Sequence, residues 1–245
     1  MRLNKALGQN FFNNPNLADW IVSLATAHQP QTVVEIGPGD GYFSKRLYEK
    51  TSRLILIEKD PELAGLLKLK LPNATIVNED VLDWRFESKD LDTPIVIYGS
   101  LPYNISKLII SKFIRHPEIT KMYFIIQKEV AEKYTSKDGQ SSLLSLTANL
   151  FADFKILKII KPGNFIPKPK VDSALIEVTP HQKPKYTDIP KFERVAKAAF
   201  SSPRKTLRNN LKGFNTSNIK EEILNKRPEM LTLNEFIGLT DQIVL

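Results

Sequence analysis

Apolar residues recur along the chain in short β-branched runs, separated by stretches in which they return every three or four positions. The runs fall at residues 32–36, 53–58, 74–78, 94–98, 121–127, 154–160 and 173–178. Near-continuous apolar runs of this length mark strands buried on both faces. The stretches with helical spacing fall at 16–26, 42–49, 61–70, 106–115 and 141–151. Strands alternating with helices imply right-handed βαβ units and a mostly parallel sheet. After residue 178 the pattern changes. Residues 179–190 carry Pro180, Pro184 and Pro190 and read as a linker. Only helical spacing follows, at 192–200, 203–212, 218–224 and 234–243. The expectation is an α/β domain over 1–180 with seven strands, then a small all-helical domain over 181–245.

Composition narrows the chemistry. The 245 residues include no Cys, which excludes disulfide scaffolds, thiolate zinc sites and cysteine nucleophiles. The three His, at 28, 116 and 181, are too scattered for a His-based metal site, and no metal is expected. The longest apolar runs, such as 54–57 and 123–126, fall far short of the roughly 20 residues that a membrane span needs. The first residues, MRLNKALGQNFF, lack a long apolar segment, so no secretory signal is expected. A cytoplasmic enzyme or nucleic-acid binder fits these limits. The net charge is +8, and residues 181–230 alone hold 12 basic and 5 acidic side chains. An excess concentrated in this way is the footprint of a polyanion binder.

The first strand runs into Gly37-Pro38-Gly39-Asp40-Gly41, followed by a helix. Glycines allow a sharp turn and close approach of a ligand to the backbone, and α/β sheets bind nucleotide-like ligands at this edge. The spacing G-x-G-x-G is not the dinucleotide G-x-G-x-x-G, and no P-loop Lys follows. Glu58 ends the second strand, where a carboxylate can accept both ribose hydroxyls. Asp80 follows the third strand, where it can accept from an adenine amino group. The fourth strand leads into Ser100-Leu101-Pro102-Tyr103-Asn104. The segment resembles the Asn/Asp/Ser-x-Pro-aromatic motif of methyltransferases acting on exocyclic amino groups of bases, which implies acceptors at Ser100 and the Leu101 carbonyl for the amine, a backbone fixed by Pro102 and a Tyr103 face for an extruded base. Phe165, in Phe-Ile-Pro-Lys-Pro-Lys-Val, can close the other face of that base.

Together Glu35–Gly41, Glu58 and Asp80 resemble the S-adenosylmethionine site of class I methyltransferases, which have a Rossmann-like sheet. Leu7-Gly-Gln-Asn-Phe11, Leu101-Pro-Tyr-Asn-Ile-Ser106, Phe165–Ser173 and Ala199-Phe200 with Arg204–Leu211 extend the likeness over nearly the whole chain. The sequence resembles the small-subunit rRNA adenine N6,N6-dimethyltransferases, the kasugamycin-sensitivity family. That resemblance implies dimethylation of two adjacent adenines near the 3′ end of small-subunit rRNA during subunit assembly. It implies S-adenosylmethionine as cofactor, with contacts from Asn10, Phe12, Gly37, Gly39, Glu58, Asp80 and Ser100. The partners implied are the small ribosomal subunit and its rRNA, with no membrane, for a chain acting as a monomer. One departure stands out: the family usually has Asn where this chain has Ser100. Serine keeps an acceptor oxygen but is shorter and lacks the amide.

Three other readings remain at this point. A large-subunit rRNA methyltransferase of the macrolide-resistance type shares the core, although the Gly-Gln-Asn-Phe segment and the stretch from Ala199 to Arg208 favour the small-subunit type. A non-catalytic ribosome-assembly factor could retain the fold. A nicotinamide-dependent oxidoreductase is disfavoured by the glycine spacing. Within the basic stretch, Pro203 suits a first helical turn and Gly213 a C-terminal cap. A helix between them would put Arg204, Arg208 and Lys212 on one face toward RNA, with Leu207 and Leu211 packed on the catalytic domain.

Overall fold

The computed structural model describes residues 11–27, 29–87, 91–136 and 139–244. The chain runs β1 (Phe11–Phe12), α1 (Pro15–Thr26), β2 (Thr32–Ile36), α2 (Ser44–Tyr48), β3 (Arg53–Ile57), α3 (Pro61–Lys70), β4 (Thr75–Val77) and β5 (Ile95–Ser100). It continues through α4 (Ser106–Phe113), β6 (Ile119–Gln127), α5 (Lys128–Tyr134), α6 (Leu143–Ala148), β7 (Ala152–Ile160), β8 (Phe165–Ile166) and β9 (Ser173–Pro180). The seven apolar runs form one sheet in the order β4-β3-β2-β5-β6-β9-β7. Pairing is parallel from β4 through to β6, and β9 returns antiparallel to β6. All five residues of β2 are buried, as a central strand covered on both faces requires. The order reverses at β2, so the crevice at the carboxyl ends of β2 and β5 is the switch point where such sheets bind ligands.

Helix starts follow local capping. The Asn14 side chain accepts from Leu17 N at 3.0 Å, with Pro15 in the first turn of α1. Asp60 does the same for α3, again with a proline, Pro61, just inside. The helix expected over 42–49 shrinks to α2, because Gly41 (φ +87°) and a Gly41 N–Pro38 O bond hold a turn first. Two features went unseen in the sequence. Helix α5 follows β6 without a break, and the two-residue strands β1 and β8 pair antiparallel with each other.

Residues up to Ala131 together with Lys155–Gln182 form one compact unit, and Glu132–Phe154 with the chain from Lys183 onward form a second. These units differ from the expected division into 1–180 and 181–245 in that Glu132–Phe154 groups with the chain from Lys183 onward. Strand β9 also runs through Thr179 and Pro180, where a linker was expected. Lys121 Nζ holds it by donating to Thr179 Oγ1 at 2.9 Å and pairing with Glu177 at 3.0 Å.

The second unit adds α7 (Ile189–Ala199), α8 (Leu207–Asn210), α9 (Glu221–Leu224) and α10 (Leu233–Gln242). Asp188 caps α7, and Thr232 with Glu235 forms a capping box on α10. Here the expected helix over 203–212 does not form; only α8 is helical. Thr206 is extended (ψ 161°), and Leu207 N bonds to Lys226 O at 2.9 Å, so the chain turns before the helix starts. Asn210 Nδ2 then ties the turn down by donating to Ala199 O at 2.6 Å and Ser202 O at 3.0 Å. Arg204 lies in the turn, Lys212 lies beyond the helix, and Arg208 is ion-paired with Glu221. The three cations do not share one helical face. Leu207 and Leu211 are buried, and α8 neighbours α7 and α9.

Candidate active site

At the carboxyl edge of β2, β3 and β5 the first unit encloses a cavity of about 370 Å³. One wall is the glycine loop. Gly37 (φ +65°) and Gly39 (φ +60°) occupy a left-handed region that disfavours other residues. A Cβ on Gly39 would meet the Phe11 ring at 3.2 Å. The loop is tied to the next strand twice, by Gly37 N donating to Ile57 O and Gly39 N donating to Glu58 Oε2, each at 3.0 Å.

Glu58 ends β3 as expected and lines the cavity. Its second oxygen accepts from Asp60 N at 2.9 Å, which leaves acceptor capacity on both oxygens. Burial raises its pKa against those hydrogen bonds. Asp80 also lines the cavity, with both oxygens already engaged. Oδ1 accepts from Leu82 N at 2.9 Å, and Oδ2 pairs with Lys59 at 2.8 Å, which together hold its carboxyl below the usual range. The turn after Asp80 is fastened from α4, where Lys112 Nζ donates to the carbonyls of Val81, Leu82 and Trp84.

Across from the acids, β5 delivers Ser100, Leu101, Pro102 and Tyr103 into the same cavity. Leu101 N donates to Ile125 O at 3.0 Å, while neither the Ser100 hydroxyl nor the Leu101 carbonyl has a hydrogen bond among the described residues. Tyr103 is half-buried, and its hydroxyl shares a 2.7 Å hydrogen bond with Ser173 Oγ. Phe12 and Phe165 close the remaining side. They meet edge to face with centroids 5.2 Å apart, held by the β1–β8 pairing. Phe165 is only 2% exposed, so its ring is a fixed wall rather than a loose flap. Asn10 lies outside the described residues.

Glu35 was quoted in the glycine-loop motif with no role assigned. It is 2% exposed and lines the cavity, and its Oε2 has no hydrogen-bond partner among the described residues. Burial pushes its carboxyl up to about 8, with Glu58 and Asp40 adding repulsion. Tyr98, its register partner on β5, likewise has a buried hydroxyl without a partner. The signal for Glu35 was available, since an acid inside an otherwise apolar central strand requires a partner. The signal for Ser173 was not, because its partner lies 70 residues away.

A parallel sheet with a glycine loop after its first strand, acids after the next two and an acceptor-Pro-Tyr turn after the fourth defines a class I methyltransferase. A buried carboxyl with an unpartnered oxygen, beside a glycine loop, suits a cofactor carrying cationic groups and a nucleoside. The chain belongs to the ribosomal RNA adenine dimethylase family, whose model matches residues 1–237. It is 33% identical to ribosomal RNA small subunit methyltransferase A of Marinomonas sp., over 99% of this chain and 96% of that protein. It is 35% identical to the protein of the same name from Pseudomonas aeruginosa, over 99% and 95%. Among solved structures, a dimethyladenosine transferase from Plasmodium falciparum superposes with TM-score 0.79 at 24% identity, covering 94% of this chain and 95% of that one. The 23S rRNA methyltransferase ErmE superposes with TM-score 0.77 at 22% identity, covering 95% and 99%. These two likenesses show the shared fold. The methyl donor is S-adenosylmethionine, and the nicotinamide reading falls away.

Proposed function

We propose that this chain dimethylates N6 of two adjacent adenines near the 3′ end of small-subunit rRNA, in the cytoplasm during subunit assembly. The observation that carries the reading is that Ser100–Tyr103 opens into the same cavity as the glycine loop and Glu58. An amine acceptor and a nucleoside site thus share one enclosed space. The choice of small-subunit rRNA is supported by relatives of that name at 33% and 35% identity over almost the whole chain.

In this reading Glu58 accepts the ribose hydroxyls, Glu35 faces the cationic end of the cofactor, and Asp80 holds the wall near the adenine. Bound S-adenosylmethionine supplies a methyl group on a sulfonium, already activated for transfer. Ser100 and the Leu101 carbonyl accept the two N6 hydrogens, which draws the nitrogen lone pair out of the ring. Tyr103 stacks on the extruded base, and Phe165 bounds its pocket. No side chain is assigned as base: the N6 proton displaced on methylation would pass to water. Arg204 and Lys212, both exposed, add to the positive surface for the rRNA backbone.

Tritium transfer from labelled S-adenosylmethionine to undermethylated small and large subunits, followed by nucleoside analysis, tests this. Dimethyladenosine confined to small subunits is the expected result. Label in large subunits would establish the macrolide-resistance type instead, and no transfer to either would establish the non-catalytic assembly factor.

A further inference from the structure

Tyr103 is tethered at both ends. At its backbone, Ser106 Oγ donates to Tyr103 O at 3.2 Å, and Ser106 N donates to Pro102 O at 3.0 Å, which fixes the turn that presents the ring. At its tip, the phenol hydroxyl shares a 2.7 Å hydrogen bond with Ser173 Oγ. Ser173 is fully buried and sits at the first position of β9, paired in register with Gln127 of β6. The segment just before it is also fastened, since Lys128 N donates to Asp172 O at 3.0 Å and Lys161 pairs with Asp172 at 2.7 Å. The hydroxyl of Ser173 is therefore a rigid point. A ring held only at its Cα can swing about χ1, whereas one also held at its hydroxyl keeps its tip, and so the direction of its long axis, fixed. Eight positions before Ser173 on the same segment, Phe165 forms another wall of the cavity.

We propose that Ser173 is a positioning residue for the target base, acting through the Tyr103 hydroxyl to hold the ring where stacking requires it. The inference rests on the function proposed above. Ser173 touches neither cofactor nor base in this scheme. Its effect should appear in RNA turnover and not in cofactor affinity. It also gives the tyrosine a reason to be tyrosine, since phenylalanine would stack as well but would lack the second tether.

A double-mutant cycle tests this, using Ser173→Ala, Tyr103→Phe and the pair, each assayed for methyl transfer to undermethylated small subunits and for S-adenosylmethionine binding by calorimetry. Each single substitution is expected to lower kcat by roughly three- to tenfold, the range of one net hydrogen bond. Cofactor affinity should stay at the wild-type value, while the thermal midpoint falls by about 2–4 °C, the cost of one net hydrogen bond in a chain of this size. The double variant should be no slower than the worse single, because both remove one interaction. Double-variant losses that multiply would overturn the proposal, and so would a Ser173→Ala enzyme as fast as wild type. A Ser173→Ala protein that loses cofactor affinity along with turnover would show a structural role only. If wild-type enzyme leaves small-subunit adenines unmethylated, the function itself is refuted and the inference falls with it. If wild type methylates them and the cycle shows no coupling, only the inference falls.

Discussion

Replacing Glu35 with glutamine keeps the shape of the side chain and removes its proton equilibrium. Burial pushes the Glu35 carboxyl up to about 8 in the folded protein, against an ordinary value of 4.5. Between those limits the folded state holds a proton that the unfolded chain has released. The unfolded state then binds fewer protons, so stability falls as pH rises from 4.5 to about 8 and levels off above. One full proton gives a slope of about 1.4 kcal/mol per pH unit, and the whole window integrates to about 5 kcal/mol as an upper figure. The assay is urea unfolding of ligand-free wild type and Glu35→Gln from about pH 5.5 to about 8.5, where the difference between the two curves isolates this one group. Wild type should lose stability relative to Glu35→Gln steadily up to about pH 8 and run parallel to it beyond. The cofactor arm reverses the sign. A cation beside Glu35 favours its ionised form, so wild-type affinity should gain on the variant as pH rises. It should end roughly tenfold or more tighter, as loss of a charge-assisted contact implies. Stability curves that stay parallel from pH 5.5 upward would refute the argument, because Glu35 would then be ionised already in the folded state.

Glu58→Ala should weaken S-adenosylmethionine binding by roughly tenfold or more in calorimetry, because it removes a buried charged acceptor and the Gly39 N–H partner together. Unchanged affinity would remove Glu58 from the site. Ser100→Ala should slow methyl transfer while Ser100→Asn preserves or raises it, and an alanine variant as fast as wild type would leave only the Leu101 carbonyl as acceptor. Lys168 and Lys170 lie exposed on the loop next to Phe165, beside Ile166 and Val171, which are 59% and 45% exposed. Substituting both lysines by Ala should flatten the salt dependence of subunit binding by about 0.7–0.9 in log K against log salt per lost phosphate contact. Arg208→Ala should change that slope little, since Arg208 is already paired with Glu221. The reverse ranking would place the RNA backbone on the second unit.

The sheet was legible because its central strands are buried on both faces. Runs such as 32–36 and 53–58 carry no alternation to confuse them with surface structure, and strands form there within a residue or two at each end. Prolines and caps fixed the helix starts just as locally, as Asn14 with Pro15 and Asp60 with Pro61 illustrate. The basic stretch misled for a related reason. PRKTLRNNLKG has helical spacing from end to end, and nothing within it says that Thr206 will be extended. That conformation is imposed by Lys226 O and by the Asn210 amide bridging to Ala199 and Ser202, which are tertiary contacts that override a weak local preference. Residues 132–154 were placed with the sheet because they lie between two of its strands in sequence, although compactness groups them with the later helices.

The site divides along the same line. The places of the glycine loop, Glu58 and the Ser100–Tyr103 turn at one cavity could be read off because the end of a parallel strand fixes where its next residues go. Groups that act through a distant side chain could not. Asp80 was assigned to the cofactor on its position alone, and only the structure shows Lys59 and Leu82 N already occupying its two oxygens. Each Asp80 oxygen keeps a further lone pair, as on Glu58, so these bonds fix where Asp80 stands without using up its acceptors. Glu35 differs, an acid whose Oε2 has no partner among the described residues and whose pKa is raised by burial against a contact with Ser44. A buried carboxyl with an unpartnered oxygen is costly in the free protein, and the site recovers that cost only when a cation arrives. Of the two acids, Glu35 is therefore the one whose removal should separate cofactor affinity from fold stability, because it lowers the first while raising the second.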